Sequence, residues 1–365
     1  MEFLWSASDG PEVSGAGSSL MLAIASRPAA LDDLSGDGVA VLRERMSRVA
    51  GRRPVGRPAR QRTISAMDDT QVSVRARAVA SALEPFAGQV YFAPECHERY
   101  AALGFGPSPG PVGVVAMPDP AAYFCSRGAS LGQVPGELVA AAFAVFNPAI
   151  VVPAVTHGWT LTDAATIGAA RTAGATDQLT RVLGDNPEGL GPVTTLLTRA
   201  NEPLRPEGRP LFAGLVGAGL PGTPVGDAWR LADRLREYRG DAHTAAWTTA
   251  GFDATEIGLV TEHYWGLPPR SYVRTRAWSD TDLDAAEARL RGRGLLDDAG
   301  LTPAGRAARE DVEAATDRQC RPLVEALGDD LDTLVERLAP WGAAIREEGG
   351  YLPTGPHDLA RAAGG

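Results

Sequence analysis

Arg236, Arg239 and His243 recur at helical spacing in "LREYRGDAH", which puts them near one face of a helix. Two guanidiniums and an imidazole on one face can grip an anion, or hold a carboxylate such as Glu95. A histidine placed this way serves as a ligand contact or a general base. The plainer use is an interhelical hydrogen-bond network. Gly240 lies between them, and a helix-interior glycine costs about 1 kcal/mol relative to alanine. It therefore points to close approach by a neighbour or a ligand. Carried on a helix, the Arg-Gly-Asp triplet is not an adhesion loop.

Two further stretches carry side chains of interest. "YFAPECHERY" groups Tyr91, Phe92, Glu95, Cys96, His97, Glu98 and Arg99. Glu95 and Arg99 are four apart, the spacing of a helix ion pair. A metal site would need ligands converging from elsewhere. His157, His243 and His263 are available, but no His-Glu-x-x-His spacing exists, so no metal is expected. "AFAVFNPAIVVP" is apolar apart from Asn147. A buried Asn must be hydrogen-bonded. It either caps the helix before Pro148 or orients a small ligand among Phe143, Phe146 and Tyr91. Arg171 and Asp177 lie on a helix that can join such a pocket. The expected ligand-binding set is Tyr91, Glu95, Phe146, Asn147, Arg171, Arg239 and His243. An apolar pocket with a few converging polar groups is the usual form of a ligand site. There is no Gly-x-Ser-x-Gly elbow, no Walker loop and no Cys-x-x-Cys pair, and "GLVGAGLPG" lacks a flanking βαβ unit. No catalytic residue and no cofactor is assigned.

The elements that must position these side chains are mainly α-helical. A chain of 365 residues suggests two domains. Net charge is −10 and the sequence pI about 5.1, an acidic balance that argues against general nucleic-acid affinity. All 35 basic residues are Arg, which with abundant Ala, Gly and Pro reads as GC-rich codon usage. Cys96, Cys125 and Cys320 are too far apart for a disulfide framework or metal signature, and read as buried thiols. No run of eighteen apolar residues and no secretory leader is present, so no membrane is expected and the cytoplasm is the default.

Residues 1–66 contain an arginine run from Arg43 to Arg62 with one acid, Glu44, and are expected to hold no packed structure. Met67 opens an acidic cap followed by helical periodicity, a natural domain start. Residues 67–225 read as a helical domain with the ligand pocket. Within it, Pro135 marks a helix start, Asn147-Pro148 a break, Thr160–Asp163 a helix cap and Gly104 a helix end. The loop "GAGLPGTPVGD" marks a boundary. Residues 226–345 form the second unit, opened by a cap at Asp227, and residues 346–365 are a frayed tail.

Within the second unit, Ser279 stands three residues before Asp282 in a capping box, and Leu283, Ala286, Leu290 and Leu295 supply a buried stripe. "LLDDAGLTP" reads as a minimal β wing turning at Asp298–Gly300. Through Leu290, Gly294, Leu301, Thr302, Gly305 and Arg306, "ARLRGRGLL" and "LTPAGRAAREDVE" resemble the MarR-like winged helix. "YFAPECHERYAALGF", "AFAVFNPAIV", "LREYRGDAH" and "GRGLLDDAGLTPAGRA" together resemble an actinobacterial family of MarR-like helix-turn-helix proteins, over roughly residues 75–345. The resemblance implies a helical domain followed by a winged helix, and little chemistry.

A recognition helix reads bases with its N-terminal half, best with Arg, Lys, Asn and Gln. Here that half carries Asp280, Asp282, Asp284 and Glu287. Carboxylates oppose phosphates, although acids in a first turn favour a helix by about 0.3–1 kcal/mol each. Arg270, Arg274 and Arg276 are the residues expected to touch a DNA backbone. The sequence therefore supports a cytoplasmic small-molecule-binding protein of regulatory type, with DNA contact as its strong form and dimer formation as another use of the winged helix. The alternative is a small-molecule-modifying or hydrolytic enzyme using His243.

Overall fold

The computed structural model describes residues 2–5, 12–16, 28–50 and 67–352. They belong to two units, residues 1–66 and 67–365. In the first, β1 (Glu2–Trp5), β2 (Val13–Ala16) and β3 (Leu34–Ser35) form an antiparallel sheet in that order, with Phe3 opposite Gly15 and Ser14 opposite Ser35. Helix α1 (Gly38–Ala50) follows. Leu31 is buried against Leu34, Val39 and Leu42. The expectation of no packed structure here is corrected: four apolar residues close in sequence suffice for a small cluster. Arg43 pairs with Asp32 at 3.0 Å. The side chains from Arg45 to Arg62, most of the basic run, lie outside the described residues.

The second unit is mainly α. Its helices are α2 (Asp69–Gly88), α3 (Pro94–Ala102), α4 (Pro120–Gly128), α5 (Gly136–Phe143), α6 (Pro148–Leu161), α7 (Ala164–Leu183), α8 (Leu190–Asn201), α9 (Pro210–Gly217) and α10 (Pro224–Thr249). A short hairpin, β4 (Gly110–Val112) and β5 (Val115–Met117), separates α3 from α4. Asn147-Pro148 does break one apolar run into α5 and α6. The cap before α7 is Asp163 itself, which accepts from the Thr166 N–H at 2.7 Å, because Thr160 still belongs to α6.

The expected boundary at residue 225 is absent. Helix α10 starts there, with Thr223 as its N-cap, and runs through the core. Its Trp229, Leu231 and Leu235 are buried in the same cluster as Leu83, Val193 and Leu338. The glycines and prolines of "GAGLPGTPVGD" look like a linker, but α10 is buried along most of its length, charged Arg230, Asp233, Glu237 and Asp241 included, so it is covered on nearly every side. Asp227 is displaced from the cap and accepts from the Gly222 N–H at 2.7 Å. The expected tail is also partly corrected. α15 (Leu331–Glu347) follows α14 (Arg321–Leu327) and crosses α2, and Tyr351 then folds back and is buried. The Tyr351 hydroxyl donates to Glu84 Oε1 at 2.6 Å. Residues 353–365 lie outside the described residues.

A separate core gathers beyond the C-terminal half of α10. It is built by α11 (Ala254–Trp265), a 3-10 turn at Val273–Arg276, α12 (Asp280–Gly292), the hairpin β6 (Leu296–Asp297) and β7 (Gly300–Leu301), and α13 (Pro303–Gln319). The capping box forms: the Ser279 hydroxyl accepts from the Asp282 N–H at 3.2 Å and the Asp282 carboxylate accepts from the Ser279 N–H at 3.1 Å. Leu283, Ala286 and Leu290 are wholly buried with Ile257, Val260 and Val273. Helix–turn–helix, two-residue-stranded wing and closing helix thus occur in the order the sequence implies. Among the described residues, no helix is long and apolar enough to cross a membrane.

Gly305 fixes how α13 leaves the wing. A Cβ there would lie 2.0 Å from the Leu295 carbonyl oxygen, which is backbone and cannot swing away. Gly305→Ala should therefore lower stability by about 2 kcal/mol or more, the cost of overpacking a closed contact. Gly292→Ala, whose Cβ meets nothing within 4 Å, should be neutral or slightly stabilising. Urea denaturation of both variants checks the contrast.

Candidate functional site

Helix α10 carries the site, because its inner face is charged as well as apolar. Glu237 is 2% exposed and accepts from the Tyr91 hydroxyl at 3.0 Å, from Arg127 Nη2 at 2.8 Å and from Arg236 Nη1 at 3.0 Å. Burial alone would raise its pKa, but the Arg127 and Arg236 guanidiniums hold it down at about 2. Arg236 also bonds Glu84 at 3.0 Å. One turn on, Arg239 bonds Asp317 at 2.7 Å and Glu313 at 2.9 Å of α13. Glu313 accepts in addition from Arg309 at 2.6 Å. Burial would raise its pKa as well, and Arg309 and Arg239 outweigh that and keep it ionised.

A cavity of about 210 Å³ lies over this face. Its apolar border includes Phe143, Phe146, Trp247 and Tyr272, and its polar border Arg236, Arg239, Asp241, His243, Arg276 and Arg309. Phe146 stacks in an aromatic group with Tyr123, Phe124 and Phe143, at centroid distances of 5.7, 5.3 and 6.1 Å. Arg276 lies over the rings of Phe146 and Tyr272, at 4.7 and 4.5 Å. Arg309, only 2% exposed, has two buried nitrogens, Nε and Nη1, with no protein partner. Trp247 Nε1 and Arg276 Nε are in the same condition. An unpaired buried donor costs about 1–3 kcal/mol, and four of the thirteen unpaired buried side-chain atoms among the described residues surround this one cavity.

Of the expected ligand set, Phe146, Arg239 and His243 border this cavity. Tyr91 stands behind it as a partner of Glu237. Arg171 lies elsewhere, bonded to Asp233 at 2.9 and 3.3 Å. Asn147 takes the capping role: its side chain accepts from the Ala149 N–H and donates to the Ala277 carbonyl, each at 3.0 Å. Glu95 does not pair with Arg99. It accepts from Arg181 at 2.6 Å, and Arg99 bonds Asp177, because α7 crosses α3 and offers better-placed partners than the next helical turn. His243 Nδ1 is 3.2 Å from the Thr316 hydroxyl and 4.0 Å from Glu313 Oε1, too far for a hydrogen bond to that carboxylate. Gly240 also borders the cavity, and a Cβ there would meet only Glu237 Oε2 at 3.6 Å, an ordinary contact. No neighbour requires the glycine.

The arginines expected to face DNA are engaged within the chain. Arg270 bonds Asp284 at 2.6 Å and Glu287 at 2.8 Å, and Arg274 bonds Asp280 at 2.5 Å. The acidic front of α12 is thus covered by two guanidiniums from the preceding segment. Arg276 turns inward to the cavity, its Nη2 donating to the Tyr272 hydroxyl at 2.8 Å. Residues missed in the sequence are Arg127, Glu237, Asp241, Trp247, Arg309 and Glu313. Arg127 had one signal, a charge set among the buried-type residues of "PAAYFCSRG", whereas Glu237 stands in the charge-rich "RLREYRGD" and had none. Arg309 and Glu313 had none, since "AREDVEAATD" has the composition of a solvated helix.

These features define a mainly helical protein whose helix-turn-helix unit is closed by a minimal wing. The chain belongs to a helix-turn-helix family whose model matches residues 76–353. No curated protein and no solved structure matches it.

Asp241 gives the site a pH signature. Burial pushes its carboxyl up to about 7, against the Phe212 N–H bonded to it at 3.0 Å. A raised folded pKa favours the folded state below the unfolded value of about 4, and that contribution is lost as pH rises to about 7. Glu237 acts in the opposite sense and in a lower window, between about 4.5 and about 2. Asp241→Asn should therefore flatten the fall in melting temperature between about pH 5 and about pH 7 and leave the acid limb in place. Thermal melts across pH check this.

Proposed function

We propose that the chain is a cytoplasmic small-molecule-binding regulator with a MarR-like winged helix, and that its ligand is a small organic anion held in the cavity over α10. The observation that carries this reading is Arg309, a buried guanidinium at the cavity wall with two nitrogens lacking a protein partner. Five arginines border the cavity, against Glu84, Glu237, Asp241 and Glu313, with Asp317 behind Arg239; the Asp241 carboxyl, pushed up to about 7, leaves one positive charge in excess when protonated. The rings of Phe143, Phe146 and Trp247 suit an apolar or aromatic body. Gly240 supports the same reading: it weakens α10 by about 1 kcal/mol and leaves the cavity open.

The coupling route is short. Arg276 and Tyr272 border the cavity and sit in the turn directly before α12, so a ligand that engages Arg276 acts on the entry to the helix-turn-helix. DNA is the output partner in this reading, reached as a homodimer with one winged helix per half-site. The acids of α12 then restrain DNA binding by occupying Arg270 and Arg274.

Calorimetry with benzoate, phenylacetate and a neutral amide of each tests the ligand. Saturable binding of an acid but not its amide is expected, with at least a tenfold loss in Arg309→Met. That is the scale of a charged hydrogen bond, about 1.5–3 kcal/mol. Gly240→Ala should raise stability by about 0.5–1 kcal/mol and weaken the same binding. Equal binding of acid and amide, or none by either, removes the reading. For the output, Asp280→Asn, Asp284→Asn and Glu287→Gln together should strengthen non-specific duplex binding at low salt and steepen its salt slope by about 2, as Arg270 and Arg274 both lose their carboxylates. An unchanged slope would retire the DNA arm.

A further inference from the structure

A second space, a groove of about 950 Å³, runs between α7 and α9 with α10 as its floor. Its walls are made of small residues, among them Ala165, Gly168, Ala169, Gly214 and Gly217. On the floor stands Arg230, 6% exposed. Arg230 Nη2 donates to the neutral Thr172 hydroxyl at 2.6 Å. Its Nη1 is 3.8 Å from Asp233, a carboxylate already held by Arg171 in two bonds, and its Nε is buried without a protein partner. The acids that do border the groove are also engaged, Asp177 by Arg99 and Glu237 by Arg127 and Arg236. Arg230 is thus a buried cation with no anion hydrogen-bonded to it. Burial, with Arg171 and Arg234 nearby, lowers its pKa to about 10 in spite of Asp233.

A buried guanidinium held by a hydroxyl at 2.6 Å, the Trp229 ring at 4.9 Å and a carboxylate 3.8 Å away is under-compensated in the folded chain, because none of these replaces a direct carboxylate bond. Its compensation belongs in the groove. We infer that the groove is a second ligand site, distinct from the cavity at Arg309, and that it takes an elongated organic carboxylate. The acid head binds Arg230 and the apolar body lies along the alanine and glycine walls. The short side chains leave those walls smooth and wide, which fits a flexible chain better than a compact ring. The volume falls in the range of pockets that enclose a drug-sized ligand, about 300–1,000 Å³.

The experiment is calorimetry of the full chain with octanoate, dodecanoate, dodecanol and inorganic phosphate. Saturable binding of dodecanoate, tighter than of octanoate and at least tenfold tighter than of dodecanol, is expected, since a charged hydrogen bond is lost with the alcohol. Arg230→Met should weaken dodecanoate at least tenfold while the melting temperature is kept or raised, because an under-compensated buried charge is removed. A structural Arg230 would instead lower the melting temperature on substitution. Ala169→Leu, at an exposed position on the wall, narrows the groove without touching the charge and should weaken dodecanoate as well. Arg309→Met should leave dodecanoate binding unchanged, which separates this site from the first. Binding of phosphate as tight as dodecanoate would reject the acyl-type ligand. Dodecanoate binding that is absent, or indifferent to both Arg230→Met and Ala169→Leu, would overturn the site.

Discussion

The carboxylate of Glu237 is the point on which the second unit turns. It is buried, it accepts from a tyrosine hydroxyl and two guanidiniums, and those partners arrive from the segment after α2, from α4 and from α10 itself. A buried charge is tolerable only when geometry is good on every side. Here the requirement fixes Tyr91 and Arg127 against α10 and so fixes the elements that carry them. Removing either arginine would leave the acid short of a partner in the core. Glu237 also borders both internal spaces, so the same constraint shapes the walls of each.

Along α10 the buried charges are compensated unevenly. Arg171, Arg236 and Arg239 each have hydrogen-bonded carboxylates, and Arg127 shares Glu237. Arg230 and Arg309 have less than their donors require. A folded core normally pairs its buried polar groups. Unpaired atoms occur at several places in the described residues, and those of Arg230 and Arg309 lie on the borders of the two spaces. If the proposed ligands bind there, stability and binding pull against each other at these positions, as they would at Gly240, where the backbone is weakened with no packing gain. The winged-helix unit shows a parallel compromise. Its acidic first turn favours α12 through the helix dipole and is covered by Arg270 and Arg274. The charge that would meet a duplex is therefore partly spent inside the chain.

The sequence by itself determined the helical class, the break at Asn147-Pro148, the capping box at Ser279, the buried stripe of Leu283, Ala286 and Leu290, and the wing at Asp298–Gly300. Each follows from local rules: proline removes a helix donor, a serine oxygen satisfies an orphan N–H, and apolar side chains at helical spacing seek one core. It also placed Arg236, Arg239 and His243 on one helix face. Only the tertiary structure decided which carboxylates meet them. Glu84, Glu313 and Asp317 lie 74 to 152 residues away in sequence, and no local spacing encodes a crossing. For the same reason Glu95 found Arg181 instead of Arg99, Arg276 turned to the cavity instead of outward, and the loop before α10 proved to be no boundary. Charge partners in a helical core are chosen by where helices cross, and that is set by the packing of the whole unit.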